Sequence, residues 1–305
     1  MLDQLRLVMP RIDRSTPVLR VASDYLTLTK PPIVLLLLIT AIGGMFLAAR
    51  GGPSLSIILL VCAGGALGAG GANALNHYLE KDIDGLMSRT MHRPVASQRI
   101  SPVKALAFGI LLNILSFLVL AAWVNLLAAV LTLTATLFYV FVYTSWLKRT
   151  TTQNIVIGGA AGSIPPVVGW VAITGSLDLP ALYLFAIIFF WTPPHFWALA
   201  MLIQRDYEKA RIPMLPVVVG REHTVQTIFI YSLVLVALSL VFATTSAVGL
   251  VYVGAAATLG GIFLALAWQL KGDSSTRRAR ALYLFSLLYL ALLFVAMIAD
   301  SKLYY

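Results

Sequence analysis

Asn76, Glu80 and Asp84 stand four residues apart in the stretch 73–93, NALNHYLEKDIDGLMSRTMHR. On a helix this spacing sets three oxygen-bearing side chains near one face, one turn above another. Two ionised carboxylates at i and i+4 repel by roughly 0.2–0.5 kcal/mol. Gly85 follows, and a helix ending there would turn the negative end of its dipole toward Asp84. A divalent cation between the carboxylates removes both costs. Mg²⁺ suits them, because it prefers oxygen and takes one or two carboxylates together with substrate phosphates. Asn76 adds a neutral oxygen one turn deeper. Arg89 and Arg93, farther along, suit phosphate oxygens, which a guanidinium meets in bidentate fashion. The spacing therefore points to a metal-chelated anion, with a solvated helix end and a charged loop as the plain alternative. Asp82 points about 200° away from Glu80 and can equally pair with Lys81 or an arginine of the loop. His77, beside Asn76, reads as well as an interfacial histidine as a site residue.

A second group follows Trp191: WTPPHFW at 191–197, QRDYEK at 204–209 and RIPMLP at 211–216. Asp206 offers a second metal ligand across a cavity. Leu202 lies four residues before it, so no second carboxylate ladder exists. His195 sits deeper, in an apolar run whose Pro193-Pro194 pair implies a kink or break. An ionisable group at such depth is a functional candidate, and a hydrogen-bonded core histidine is the alternative. Lys30, Lys148, Arg149 and Asn154 flank apolar runs and could hold an anion at the same mouth. Lys30, Lys148 and Arg149 read equally as ordinary charge anchors. Tyr139, Tyr143, Trp146 and Trp197 suit either an interfacial belt or the walls of an apolar pocket.

The elements that must position these residues are membrane helices. The chain has 305 residues, 60% hydrophobic and only 11% charged, against about 25% charged in ordinary soluble domains. A spanning helix needs about 20 mostly apolar residues. Runs near 31–49, 55–79, 103–123, 125–146, 154–174, 180–203, 224–243, 247–270 and 280–300 qualify. The chain thus reads as all-α: a cytoplasmic segment 1–30, one transmembrane domain 31–300 and a short tail 301–305. Twenty of the 22 Lys and Arg fall in 1–30 and in alternate loops, leaving only Arg50 and Lys302 on the other side. That bias places the N-terminus in the cytoplasm, the C-terminus outside, and the loops 80–104 and 204–223 on the cytoplasmic face. The net charge of +10 is then topology, not nucleic-acid binding. The single cysteine, Cys62, excludes an intramolecular disulfide and a cysteine-based zinc site. All four histidines fall toward the cytoplasmic side, whereas a transporter would more often place polar groups near the midplane.

A carboxylate ladder suited to Mg²⁺, arginines beside it and kinked, aromatic-rich apolar helices behind it match a lipid with a diphosphate head: a prenyl diphosphate. Metal and arginine would stabilise the departing diphosphate. Aromatic faces would stabilise the allylic cation, and exclusion of water would prevent its hydrolysis.

The Asn76-x-x-x-Glu80-x-x-x-Asp84 pattern with RTMHRP at 89–94 resembles the first motif of the UbiA superfamily of intramembrane prenyltransferases. LTKP at 28–31, YTSWLK at 143–148, QNIVIGGAAG at 153–162, WTPPHFWALA at 191–200, and Asp206-Tyr207 with IPMLP at 212–216 resemble its haem-farnesylating branch. These segments run from the first apolar helix to the loop after the sixth. The resemblance implies nine helices around a central cavity open toward the cytoplasmic side, in the inner membrane of a bacterial cell. It implies transfer of a farnesyl group from farnesyl diphosphate to a vinyl group of haem B. Water addition there gives haem O, with Mg²⁺ as cofactor and the next enzyme of haem A synthesis as a partner. Site roles follow from it too: catalytic Asn76, Glu80, Asp84, His195 and Asp206, with Asn76, Glu80 and Asp84 as metal ligands. Lys30, Arg89, Arg93, Lys148, Arg205 and Lys209 would bind diphosphate, and His195 and Trp197 haem. The superfamily commonly has Asp where this chain has Glu80, and its second motif is usually an aspartate pair, absent here. A prenyltransferase of the same superfamily acting on a quinone precursor is the near alternative. A membrane haem or lipid transporter is the alternative from another class.

Overall fold

The structure, a computed structural model, describes residues 17–50 and 52–303. Residues 1–16 of the expected cytoplasmic segment and 304–305 of the expected tail lie outside the described residues. Every element among the described residues is helical. A short α1 (Pro17–Thr29) leads into α2 (Pro31–Ala49), then α3 (Leu55–Leu79), a single-turn α4 (Lys81–Asp84) and α5 (Pro102–Trp123). Next come α6 (Leu126–Thr150), α7 (Asn154–Thr174) and α8 (Leu179–Leu202). Two short helices, α9 (Gln204–Lys209) and α10 (Leu215–Val218), precede α11 (Gly220–Phe242), α12 (Leu250–Gly272) and α13 (Thr276–Leu303). Nine of these described helices are long and apolar enough to cross a membrane, and they coincide with the nine runs read from the sequence. The protein is an integral membrane protein.

In lipid, helices gain from close packing rather than from burying apolar surface. Two glycines permit the closest approach. A Cβ on Gly44 of α2 would lie 2.2 Å from the Pro166 carbonyl oxygen, and one on Gly169 of α7 would lie 2.0 Å from that of Ala41. α2 and α7 therefore run backbone to backbone. α3 packs along α5, and Ser116 Oγ donates to the Gly64 carbonyl at 2.7 Å between them. α8 touches α7, α11 and α13, and α13 returns to α2, which closes the assembly. Of the most apolar stretch of α8, 61% is buried, against 22% for α5 and α6. α8 is thus a central helix, while α5 and α6 turn Ile110, Leu111, Leu118 and Phe141 toward lipid.

Three local features bear on the site. Lys30, between α1 and α2, has φ of 53°, a left-handed conformation uncommon for a side-chain-bearing residue. Residues 138–147 of α6 form a π-helical segment, and Ser145 Oγ donates to the Val140 carbonyl five positions back at 2.8 Å. Wide turns of this kind occur often at functional sites. The Pro193-Pro194 pair, expected to kink or break its helix, lies inside a continuous α8. A proline's fixed φ is compatible with helix, and tight packing against α7, α11 and α13 supports the turn whose N–H groups are missing.

Candidate active site

Glu80 stands where α3 ends and α4 begins. Its N–H donates to the Asn76 carbonyl at 2.9 Å, and the Asp84 N–H donates to the Glu80 carbonyl at 2.8 Å. The i to i+4 register thus runs through the junction, and Asn76, Glu80 and Asp84 share one face, each only 2% exposed. Three cations from distant parts of the chain meet them. Lys30 Nζ donates to Asn76 Oδ1 at 2.8 Å. Lys148 Nζ forms a tight ion pair with Glu80 Oε1. Arg93 Nη1 donates to both Asp84 oxygens at 2.7 and 2.9 Å and lies 3.8 Å from Glu80 Oε2. Asn76 Nδ2 donates to Thr144 Oγ1 at 3.3 Å. That threonine, fully buried on the π-helical segment, orients the amide.

Three cations against two carboxylates leave the cluster with an excess of positive charge, as an anion site needs. Burial would raise the Glu80 pKa, but Lys148, Lys30 and Arg93 outweigh it and hold Glu80 below the usual carboxylate range. Asp84 is pushed up: burial exceeds the pull of Arg93, and Glu80 adds repulsion. Lys30 is lowered to about 7, by burial first and then by Arg93, with Glu80 opposing. Each group is tuned by its neighbours, the pattern found where a fold prepares a site for charge.

Ser88 Oγ, on the loop after α4, donates to Asp206 Oδ2 on α9 at 2.7 Å. The backbone N–H groups of Ser88 and Arg89 also donate to that carboxylate, and together these bonds hold it below the usual range despite burial. Asp206 therefore fastens the arginine-bearing loop; its carboxylate makes no contact with Glu80 or Asp84. Thr90 Oγ1 donates to the Asp84 carbonyl at 3.0 Å and closes the loop from the other side. Asp82 faces away, as its helical angle required, and is paired in bidentate fashion with Arg149 at 2.8 and 2.9 Å. Arg89, Arg205 and Lys209 are exposed. Burial raises the pKa of Tyr207 on α9, opposed by Arg89 and helped by Glu80. The Tyr143 ring sits over Gly158 of α7, where a Cβ would come within 2.2 Å of it.

His195 lies apart from the charges. Its Nδ1 is 2.7 Å from Ser286 Oγ of α13. Trp191 and Tyr283 stack on its ring at 4.3 and 4.9 Å between centroids. Trp197, two residues on, lies about 200° around the helix, wholly buried and edge-on to Tyr231 at 5.3 Å. Of the residues singled out in the sequence, the fold gathers Lys30, Asn76, Glu80, Asp84, Arg93 and Lys148 into one cluster. It leaves Arg89, Arg205 and Lys209 exposed, and sets His195 and Trp197 on separate faces of α8. Thr144, Ser88 and Ser286 were missed. Hydroxyl residues carry no periodic signal, although Thr144 does lie in a motif that the sequence marks.

The carboxylates fit a hard cation. Both approach one Arg93 nitrogen, and an amide oxygen lies one turn away. Among the described residues no group of three or more His, Cys, Asp or Glu could hold a metal alone, so an ion here would need oxygens from a bound diphosphate, as Mg²⁺ commonly does. Two cavities, of about 410 Å³ beside Arg50 and Trp170 and about 220 Å³ beside Asp82 and Arg149, are lined by none of Glu80, Asp84 or His195. The charged cluster, closed on its own ion pairs, is the better guide to the chemistry.

Residues 37–297 match the model of the UbiA prenyltransferase family. The chain belongs to this family. The protoheme IX farnesyltransferase of Gloeobacter violaceus is 51% identical over 96% of this chain and 97% of its own length. That of Roseiflexus sp. (strain RS-1) is 52% identical over 91% of this chain, which spans only 52% of that longer relative. Among solved structures, one described as digeranylgeranylglyceryl phosphate synthase superposes with a TM-score of 0.77 over 92% of this chain and 98% of its own, at 18% identity. A UbiA homolog from Archaeoglobus fulgidus, bound to GPP and Mg²⁺, gives 0.63 over 90% and 99%, also at 18%. At such identities the likeness is one of fold.

Proposed function

We propose that the protein transfers a farnesyl group from farnesyl diphosphate to a vinyl group of haem B and, with addition of water, forms haem O. The observation that carries this is the 51% identity to a protoheme IX farnesyltransferase along nearly the whole of both chains. The buried cluster supports it, because its excess of positive charge at the end of apolar helices suits the head of a lipid diphosphate. Lys30, Lys148 and Arg93 would grip the diphosphate oxygens, with Arg89, Arg205 and Lys209 at the rim. Asn76, Glu80 and Asp84 would hold Mg²⁺, which supplies charge neutralisation of the leaving group. Binding exchanges the present ion pairs for contacts to metal and phosphate.

The bond between farnesyl C1 and its oxygen breaks, and the electron pair leaves with the diphosphate. The terminal vinyl carbon of haem supplies the pair for the new carbon–carbon bond. Positive charge then rests on the inner vinyl carbon, water oxygen adds there, and a proton is released. Tyr139 and Tyr143, stacked at 5.5 Å between centroids, offer aromatic faces to the allylic cation. Asp206 acts through the loop it fastens. His195 faces the haem, and Trp197 supports the helix that carries it. The active face lies toward the cytoplasm of a bacterial cell, with the N-terminus inside, and the product passes to the next enzyme of haem A synthesis.

The test is incubation of purified protein with Mg²⁺, farnesyl diphosphate and either haem B or 4-hydroxybenzoate. Mass spectrometry of the extracted products should show haem gaining a farnesyl group and a hydroxyl group. Prenylation of the benzoate alone would replace this reading with the quinone-precursor one. Uptake of haem without any covalent change would point to a carrier.

A further inference from the structure

We infer that Ser286 is a positioning residue: it fixes His195 with its proton on Nδ1 and leaves the Nε2 lone pair for the iron of the acceptor substrate. The inference rests on the reading that His195 faces haem. Ser286 lies on α13, the last helix, 91 positions from His195, in a region that carries no recognised motif.

A count of hydrogens decides the tautomer. Ser286 Oγ lies 2.6 Å from the Tyr283 carbonyl oxygen and 2.7 Å from His195 Nδ1. A carbonyl has no proton to give, so the single serine hydrogen occupies the first contact. The second contact then requires a proton on Nδ1, donated to the serine oxygen. A neutral imidazole carries one N–H, so Nε2 is left as an acceptor. No described residue hydrogen-bonds it, and His195 is 7% exposed. The serine holds the ring in place as well as setting its proton. Trp191, stacked on the imidazole, donates its indole N–H to the Ser286 carbonyl at 2.8 Å. Tyr283, which accepts the serine proton, also stacks on the ring. One residue of α13 thus anchors both the histidine and its aromatic neighbour on α8.

A neutral imidazole whose Nδ1–H is held by an oxygen is the usual form of a histidine that binds iron or zinc through Nε2. The same form is ill suited to a haem propionate, since Nε2 has no proton to donate to a carboxylate. Between iron and a propionate the tautomer suits iron, and ligation would hold the porphyrin against α8.

The experiment uses the full-length protein labelled with ¹⁵N-histidine; the chain has only 4 histidines. The His195 signal, assigned by its loss in His195→Ala, should show a protonated Nδ1 and a bare Nε2. Ser286→Ala should mix the tautomers and weaken ferric haem B binding, read from the Soret band, by about 10–100-fold. It should raise KM for haem and leave KM for farnesyl diphosphate unchanged. Ser286→Thr, which keeps the hydroxyl, should restore the tautomer and the affinity. A wild-type His195 protonated on Nε2 overturns the proposal whatever the variants do. So does Ser286→Ala binding haem as tightly as wild type. An unaltered haem spectrum in His195→Ala removes the iron ligation, while continued farnesylation of haem would leave the proposed activity standing. Failure of the wild type to bind haem, with prenylation of 4-hydroxybenzoate, sinks the activity itself.

Discussion

Asp206 accepts the Ser88 hydroxyl at 2.7 Å across 118 positions of sequence, and so the loop after α4 is fastened to α9. Arg89 and Arg93 flank the fastened turn, and their placement depends on this bond. Loss of a hydrogen bond to a charged group costs about 1.5–3 kcal/mol. Asp206→Ala and Ser88→Ala should each raise KM for the prenyl diphosphate about 10-fold or more. The double variant should be little worse than either single one, because residues in contact are not additive. Steady-state kinetics of the four proteins decides it, and full additivity would mean that the two act separately.

The Asp206 pKa gives that clamp a pH dependence. Its folded value is depressed by Ser88 and Arg89, so its contribution is complete above the unfolded value, about 4. It is lost as pH falls through the folded value. Relative to the intrinsic rate at each pH, amide protection of the 85–93 loop should be high at pH 6 and should fall below about pH 4. Asp206→Asn should be poorly protected at both.

Lys148 and Glu80 test burial of charge. The pair is largely enclosed, at 13% and 3% side-chain exposure. Removing one partner of a buried pair costs about 3–5 kcal/mol, because the other is left uncompensated. Lys148→Met should therefore lower Tm more than Lys148→Met with Glu80→Gln. Glu80→Gln and Asp84→Asn should remain folded and lose turnover. Asp178→Asn is the control. Asp178 accepts the Trp170 indole N–H at 3.0 Å and the Ser176 hydroxyl at 2.7 Å, remote from the charged cluster, and turnover should persist.

Lys30 couples binding to protons. With a folded value of about 7, its ammonium is partly discharged near neutrality. A diphosphate beside it raises that value, so binding takes up a proton and affinity falls as pH climbs above about 7. Calorimetry in buffers of different ionisation enthalpy should register this uptake in wild type and lose it in Lys30→Met. The sign for folding is opposite. Between about 7 and 10.5 the unfolded chain holds a proton that folded Lys30 has shed, so this group's contribution to stability rises with pH.

Asp300 has a purely structural task. Nearly buried at the end of α13, it accepts the N–H groups of Gly249, Val251 and Tyr252 at 2.8, 3.1 and 2.8 Å. These are donors that the start of α12 leaves unpaired. Leaving them unsatisfied costs about 1–3 kcal/mol. Asp300→Ala should lower Tm in detergent while turnover at a permissive temperature stays near wild type.

Nine spans and the Asn76–Glu80–Asp84 face were legible in the sequence. Their signals are local: about 20 apolar residues per span and a repeat of four that a helix turns into one face. Asp82 facing away was legible for the same reason. Tertiary structure alone decided the partners. Lys148 meets Glu80 across 68 positions and Lys30 meets Asn76 across 46. Both lysines read equally well as charge anchors until the helices were packed. Asp206, a candidate metal ligand in the sequence, accepts hydrogen bonds from Ser88 and Arg89 in the structure, a pairing that only packing supplies. Ser286 was invisible for a related reason: a hydroxyl gains meaning only from the group placed opposite. Periodicity determines which residues share a face, whereas contacts between helices far apart in the chain determine what that face meets.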